Sequence, residues 1–231
     1  MRPISISILS VLVLLVPLAA QDRSAETLDI YVIDVEGGEA TLFVSPSGES
    51  ILVDTGWPGF DSRDATRIAA AAADANVSQI DHLIVTHFHT DHMGGAHQLA
   101  EQLPIVNYLD HGVTVDQGER QRAAFERYVK LRDNGAHRVV RPGDRVGIDG
   151  LDVRIIASDG EVLTSPLPGA GQPNPACEDF TFHDEDILSR YGDAEDQRSV
   201  SAFIGFGQFR TIIMGDLTWN KEFPLVCPNN K

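Results

Sequence analysis

The chain has 231 residues and carries 34 acidic against 18 basic side chains, a formal net charge of -16. A field of that sign repels nucleic acid and anionic membrane surfaces at long range, which argues against a nucleic-acid binder unless a local cation outweighs it. The length suits one domain with a sizeable core, and a composition 42% hydrophobic and 23% charged excludes disordered and fibrous classes.

Residues 1–20 stand apart from the rest. Arg2 supplies a positive start, residues 4–18 form an apolar run interrupted by Pro17, and Ala19 and Ala20 precede the polar Gln21. The pattern reads as a secretory signal peptide cleaved near Ala20, leaving one domain over residues 21–231. The run is short against the roughly 20 apolar residues of a spanning helix, so no membrane anchor is expected after cleavage. Export to the periplasm or the extracellular space would place Cys177 and Cys227 in an oxidising compartment. They form either one disulfide or two unpaired thiols, because sequence does not supply the distance the bond requires.

Residues 28–35 alternate apolar and polar side chains and predict a strand. Gly37 and Gly38 turn the chain into a second strand over 40–44, and a third over 50–53 ends in Asp54-Thr55-Gly56. Asp61 or Ser62 is placed to cap an alanine-rich helix over 63–75. Residues 80–86 are mostly apolar, as in a buried strand. Gly94 and Gly95 open a short helix to Leu103, followed by a strand over 105–109 and helical periodicity over 115–132. Strands over 138–141, 145–148 and 151–157 are separated by Pro-Gly and Asp-Gly turns. Residues 158–198 form a long segment rich in Pro, Gly and Asp, with one helical turn over 184–191. A hairpin over 199–205 and 209–214 turns at Gly207-Gln208 and ends in Gly215-Asp216. Strands in hairpin sets separated by helices predict a layered α/β (α+β) architecture.

The chemistry is concentrated in Thr86-His87-Phe88-His89-Thr90-Asp91-His92. His87 and His89 are two apart, so an extended backbone points them the same way. Asp91 and His92 are adjacent and diverge. Such a loop presents two imidazoles to one cation and a carboxylate with an imidazole to a second, the donor types of a two-metal hydrolytic site. These donors suit zinc, and also iron or manganese. His82 and His97 read as structural, and Trp57, Phe60 and Trp219 read as packing residues.

The motif His-x-His-x-Asp-His after an apolar strand, with Asp54-Thr55-Gly56 upstream and Gly215-Asp216 downstream, resembles the metallo-β-lactamase superfamily. The opening residues 33–40 and the strand pair 199–214 resemble its ComEC-like branch, named for a domain of bacterial DNA-uptake channels. The resemblance implies a four-layer αββα sandwich with the metal site at the sheet edges. It implies His87 and His89 as ligands of a first Zn2+, Asp91 and His92 as ligands of a second, and Asp216 as a bridging carboxylate. Asp54 would position the motif loop, and Asp91 would also orient a metal-bound hydroxide acting as nucleophile.

Two departures from the family pattern follow. The usual third histidine of the first metal is missing from its context. His111, His137 and His183 are the candidates, and His111 comes first because Asp110-His111 ends a strand expected to emerge beside His87. No histidine follows Gly215-Asp216 either, so the chain reads as a fragment lacking the last elements of the sandwich. The leading expectation is an exported binuclear zinc hydrolase acting on an ester, lactone, amide or phosphodiester in a small-molecule or polymer substrate. A metal-binding protein without turnover and a ComEC-like nuclease are the alternatives, and the sequence fixes no oligomeric state.

Overall fold

The computed structural model describes residues 27–178 and 194–231. The expected signal segment, the helical turn over 184–191 and the candidate ligand His183 lie outside the described residues. Among the described residues no helix is long and apolar enough to cross a membrane.

Six strands build the first sheet in sequence order. β1 (Asp29–Val32), β2 (Thr41–Val44) and β3 (Ser50–Val53) run antiparallel to one another. β4 (Ile80–Ile84), β5 (Ile105–Asp110) and β6 (Ala136–Val139) continue it in parallel. Parallel neighbours need a crossover, and helices supply each one. They are α1 (Arg63–Asp74) before β4, α2 (Thr90–Met93) and α3 (Ala96–Ala100) before β5, and α4 (Glu119–Arg132) before β6. α1 forms because Ala65, Ile68 and Ala72 fall on one face, and all three are buried.

The second sheet is antiparallel, in the order β11 (Phe209–Ile213), β10 (Ser201–Phe206), β8 (Asp152–Ser158), β7 (Arg145–Val146), with β9 (Glu161–Val162) paired to β8. α5 (Trp219–Val226) follows it. The period-two alternation of side chains fixes the layers. From β2, Leu42 and Val44 enter the core under α1 and α3, while Phe43 enters the core between the sheets with Ile51, Ile84, Val153 and Ile204. On the far face, Ile156, Leu217 and Leu225 join β8 to α5. Helices outside, two sheets inside and a helix on the other face give the αββα sandwich. Strands such as β2 and β3 read as continuous apolar runs because both of their faces are covered.

The structure departs from the sequence reading in several places. Ser62 sits at the start of α1 with φ of 61° and no capping bond from its side chain; its hydroxyl instead accepts from Gln98 Nε2. The helix expected over 94–103 spans only Ala96–Ala100, and a separate short helix, α2, precedes it. β6 begins two residues earlier than expected, and α4 starts at Glu119 because residues 114–118 are spent on turn and tertiary hydrogen bonds. α5 was not anticipated. Cys177 and Cys227 form a disulfide with 5.8 Å between Cα atoms.

Parallel register brings the carboxyl ends of β3, β4 and β5 to one edge. The Asp54 amide donates to Ile84 O and the Val85 amide to Leu109 O, both at 2.9 Å. The Val200 amide donates to Thr86 O at 2.7 Å, tying the second sheet to the same edge. Asp54, the histidine loop, His111, Asp216 and the segment before β10 therefore meet there, at the end of the strands where open α/β sheets place their ligands.

Candidate metal centre

The loop after β4 is extended as far as His89, whose φ and ψ are -72° and 152°. His87 and His89 consequently project to the same side, and His87 Nε2 lies 3.0 Å from His89 Nδ1. The chain then enters α2, which separates Asp91 from His92. His92 Nε2 faces two carboxylates, 3.4 Å from Asp216 Oδ1 and 3.7 Å from Asp91 Oδ2.

Asp54 organises this loop. It takes a left-handed backbone conformation, φ 58°, at the end of β3, the kind of local strain that persists where neighbours over-determine it. Its side chain is fully buried. Oδ1 accepts from the Thr86 amide at 2.8 Å, and Oδ2 accepts from Thr86 Oγ1 at 2.6 Å and from His92 Nδ1 at 2.7 Å. Because Thr86 Oγ1 donates to Asp54, it accepts from His87 Nδ1, 3.1 Å away. One carboxylate thus places the Nδ1 proton on both His87 and His92 and turns both Nε2 atoms toward the centre.

Gly215 brings Asp216 in. Its φ is +54°, and a Cβ there would lie 2.6 Å from Thr86 Cβ, so only glycine lets the chain pass this close to the motif strand. Asp196, in a 3-10 turn (Asp196–Arg198), supplies another carboxylate, with Oδ1 3.1 Å from His89 Nδ1 and 3.6 Å from His87 Nε2. Two sets of possible ligand atoms result, each within 4.8 Å of one another: His87, His92 and Asp216, and His87, His89 and Asp196. A third set, Glu39, Asp54 and His92, lies on the Nδ1 side of His92.

The electrostatics suit a cation. Burial, reinforced by the neighbouring imidazoles of His92, His89 and His111, holds His87 well below the usual histidine range, in the neutral form that ligates metals. Burial opposes protonation of His92 as well. There the Asp54 carboxylate, by charge and hydrogen bond, and then Asp216 and Asp91, win and raise it to about 9. Burial raises Asp216, with Asp196, Asp91 and Asp54 adding to it against the pull of His92. Burial, then Asp54, pushes Glu39 up to about 8. A proton on His92 stands among carboxylates that a divalent cation would neutralise instead.

His111 is not part of either set. It emerges on the expected edge and is buried, but its Nε2 donates to Glu195 Oε1 at 2.9 Å and its ring packs on Phe88 at 4.3 Å between centroids. That bond commits His111 Nε2 to Glu195, while the Asp196 carboxylate faces His87 and His89. His137 donates to Asp110, in a buried network with Tyr128 and Arg132. His82 Nε2 donates to Gly147 O at 3.1 Å. Phe60 and Trp219, read as packing, are exposed, at 64% and 62%. Asp196, Glu195 and Glu39 were missed. The usable signal was an adjacent pair of acids a few residues before a strand that begins on the site edge.

The Metallo-beta-lactamase superfamily profile matches residues 33–226. A hydroxyacylglutathione hydrolase of Klebsiella pneumoniae is 32% identical over 117 residues, 51% of this chain and 37% of that protein. A beta-lactamase-like protein 2 homolog of Caenorhabditis elegans is 26% identical over 125 residues, 53% of this chain and 37% of that protein. The chain therefore aligns with little more than a third of each relative's length. Among solved structures, a metallo-beta-lactamase of Cronobacter sakazakii aligns with TM-score 0.47 and 14% identity over 79% of this chain and 59% of that one. The metallo-beta-lactamase fold protein YhfI of Bacillus subtilis aligns with TM-score 0.44 and 16% identity over 81% and 61%. With a profile match across most of its length, the chain belongs to the metallo-β-lactamase superfamily.

Proposed function

We propose that this chain is a metal-dependent hydrolase with a binuclear centre, zinc first among the candidate ions and iron or manganese next. His87, His89 and Asp196 would hold one cation, and Asp91, His92 and Asp216 the other. Asp216, within reach of both His87 and His92, would serve both. The reading is carried by the convergence of three imidazoles and three carboxylates on one sheet edge, with the Nε2 atoms of His87 and His92 aimed inward by Asp54. The donor set fits: neutral imidazole and carboxylate are the ligands of zinc and of non-haem iron and manganese.

A bound divalent cation supplies a nucleophile at neutral pH by lowering the pKa of water, and polarises the bond to be cleaved. The protein's own part is positional. Asp54 fixes the tautomers of His87 and His92. Asp91, partly exposed beside His92 Nε2, orients the attacking water and accepts its proton. The bonds open to this chemistry are ester, lactone, amide and phosphodiester. We further propose export, supported by the residue pattern of positions 1–20 and by the Cys177–Cys227 bond.

Metal analysis together with chromogenic ester, lactone, β-lactam and phosphodiester substrates, and digestion of single-stranded DNA, tests the reading. Metal-dependent hydrolysis of one class is expected. Stoichiometric metal without hydrolysis of any class would leave a metal-binding protein, and cleavage of DNA alone would make it a nuclease.

A further inference from the structure

Glu195 is almost fully buried, with 1% of its surface exposed, and it belongs to none of the ligand sets. Its oxygens gather donors from two other segments. Oε1 accepts from His111 Nε2 at 2.9 Å and from the Phe88 amide at 3.1 Å. Oε2 accepts from Thr114 Oγ1 at 2.9 Å and from the Val115 amide at 2.8 Å. Phe88 lies between His87 and His89, and the residue that follows Glu195 is Asp196. One side chain therefore fixes the backbone between two imidazoles and, through its own Cα, the carboxylate facing them. On the other side of Asp196, Gln197 Oε1 accepts from Asn220 Nδ2 at 3.0 Å, which joins the same turn to the helix that follows Asp216.

We propose that Glu195 is the positioning residue of the centre, locking Asp196 onto His87 and His89, with His111 as the strut that holds Glu195. The inference rests on the metal-centre reading above and adds to it the group that sets its geometry. A buried carboxylate with four donors has one orientation. The backbone of Phe88 and the turn at Asp196 then have no independent freedom, and the 3.1 Å separation of Asp196 from His89 is inherited from Glu195. Groups outside the ligand set that orient ligands commonly change metal affinity by 10–100-fold when altered. Since Glu195 is in no ligand set, its effect is on where the ligands stand.

The test uses the full chain and four variants. Zn2+ and Mn2+ affinities are measured by competition with a chromophoric chelator, and the visible spectrum of the Co2+-loaded protein reports the ligand geometry. Glu195→Gln keeps the shape but turns an amide N–H toward groups that are themselves donors. It is expected to weaken one of the two metal equivalents by about tenfold or more and to change the Co2+ bands of that equivalent alone. His111→Gln retains an N–H for Oε1 and is expected to stay within about twofold of wild type, whereas His111→Ala weakens the same equivalent. Phe43→Leu, a truncation in the core between the sheets, lowers thermal stability and leaves affinity and spectrum unchanged. If Glu195→Gln does not fold, His111→Ala against His111→Gln carries the comparison. Wild-type affinity and spectrum in Glu195→Gln or in His111→Ala would overturn the proposal, as would an equal loss of affinity in Phe43→Leu. Wild-type protein that binds no metal would overturn the metal-centre reading itself, and this inference with it.

Discussion

Asp54 Oδ2 lies 2.7 Å from His92 Nδ1, deep behind the face of the imidazole that meets Asp216. The same carboxylate receives both donors of Thr86, so one residue on β3 sets the orientation of two histidines on the next strand's loop. Asp54→Asn puts an amide donor against groups that are themselves donors. It is expected to lower metal affinity by about 10–100-fold, read by chelator competition. In metal-free protein its effect on stability carries a pH signature. The folded pKa of His92, about 9, is raised above its ordinary 6.5. The Asp54–His92 contribution is therefore fully present below pH 6.5 and is lost as pH rises through 9. The stability difference between wild type and Asp54→Asn in denaturant titrations should shrink across that window, leaving at the alkaline end the part that belongs to the Thr86 bonds.

Asp196 faces His87 and His89, where the sequence reading looked for a third histidine, and His111, its first candidate, bonds Glu195. Asp196→Ala should reduce bound metal from two equivalents toward one, and Asp196→His should restore it, since both side chains present a ligand atom to the same place. Elemental analysis after dialysis against metal-free buffer checks both. His111→Gln should keep both equivalents, because glutamine replaces the donor to Glu195 and is a poor substitute for a zinc-ligating imidazole. Loss of one equivalent in His111→Gln would make His111 a ligand after all.

The acid limb of stability should belong in large part to Glu195. Burial pushes its carboxyl up, but the His111 hydrogen bond and charge, with the Val115 amide and the Thr114 hydroxyl, hold it down at about 2 against an ordinary 4.5. A depressed folded pKa means stability that is present above pH 4.5 and lost as pH falls toward 2. The stability difference between wild type and Glu195→Gln should be constant above about pH 5 and shrink through that window. A difference independent of pH would mean that the carboxylate is not held ionised.

The Cys177–Cys227 bond closes a loop across 50 positions of sequence and fastens the segment around Pro175–Cys177 to the end of α5. Cross-linking a loop of this length restricts the unfolded chain and typically contributes about 2–4 kcal/mol. Cys177→Ser with Cys227→Ser should lower the melting temperature by several degrees, with far-UV circular dichroism unchanged at 25 °C. Because α5 begins just beyond Asp216 and Asn220 bonds Gln197, metal affinity in this double variant should fall less than in Glu195→Gln. An equal fall would place the disulfide among the supports of the centre.

The sequence made the edge of the first sheet readable, because its signals are contiguous. An apolar strand runs straight into His87, His89, Asp91 and His92, and Asp54 and Asp216 each end a strand with an adjoining glycine one or two residues away. The layered architecture was readable for the same reason: period-two strands and helical spacings are local. Asp196 was hidden because it lies in a segment without periodicity and is a carboxylate where a histidine was sought. His111 was placed on the correct edge, but what it does there depends on Glu195, 84 residues away, and no local pattern reports such a partner. The start of α4 was misjudged for a related reason: the Val115 amide is taken by Glu195, a tertiary bond that overrides helical periodicity.

The most direct test of the account is the metal content of the purified chain, measured by plasma emission spectroscopy after equilibrium dialysis against Zn2+ or Mn2+ at neutral pH, beside His87→Ala and Asp216→Ala. The account predicts about two ions per wild-type chain and the loss of at least one in each variant. Wild-type protein without bound metal, or variants that retain the full complement, would contradict it.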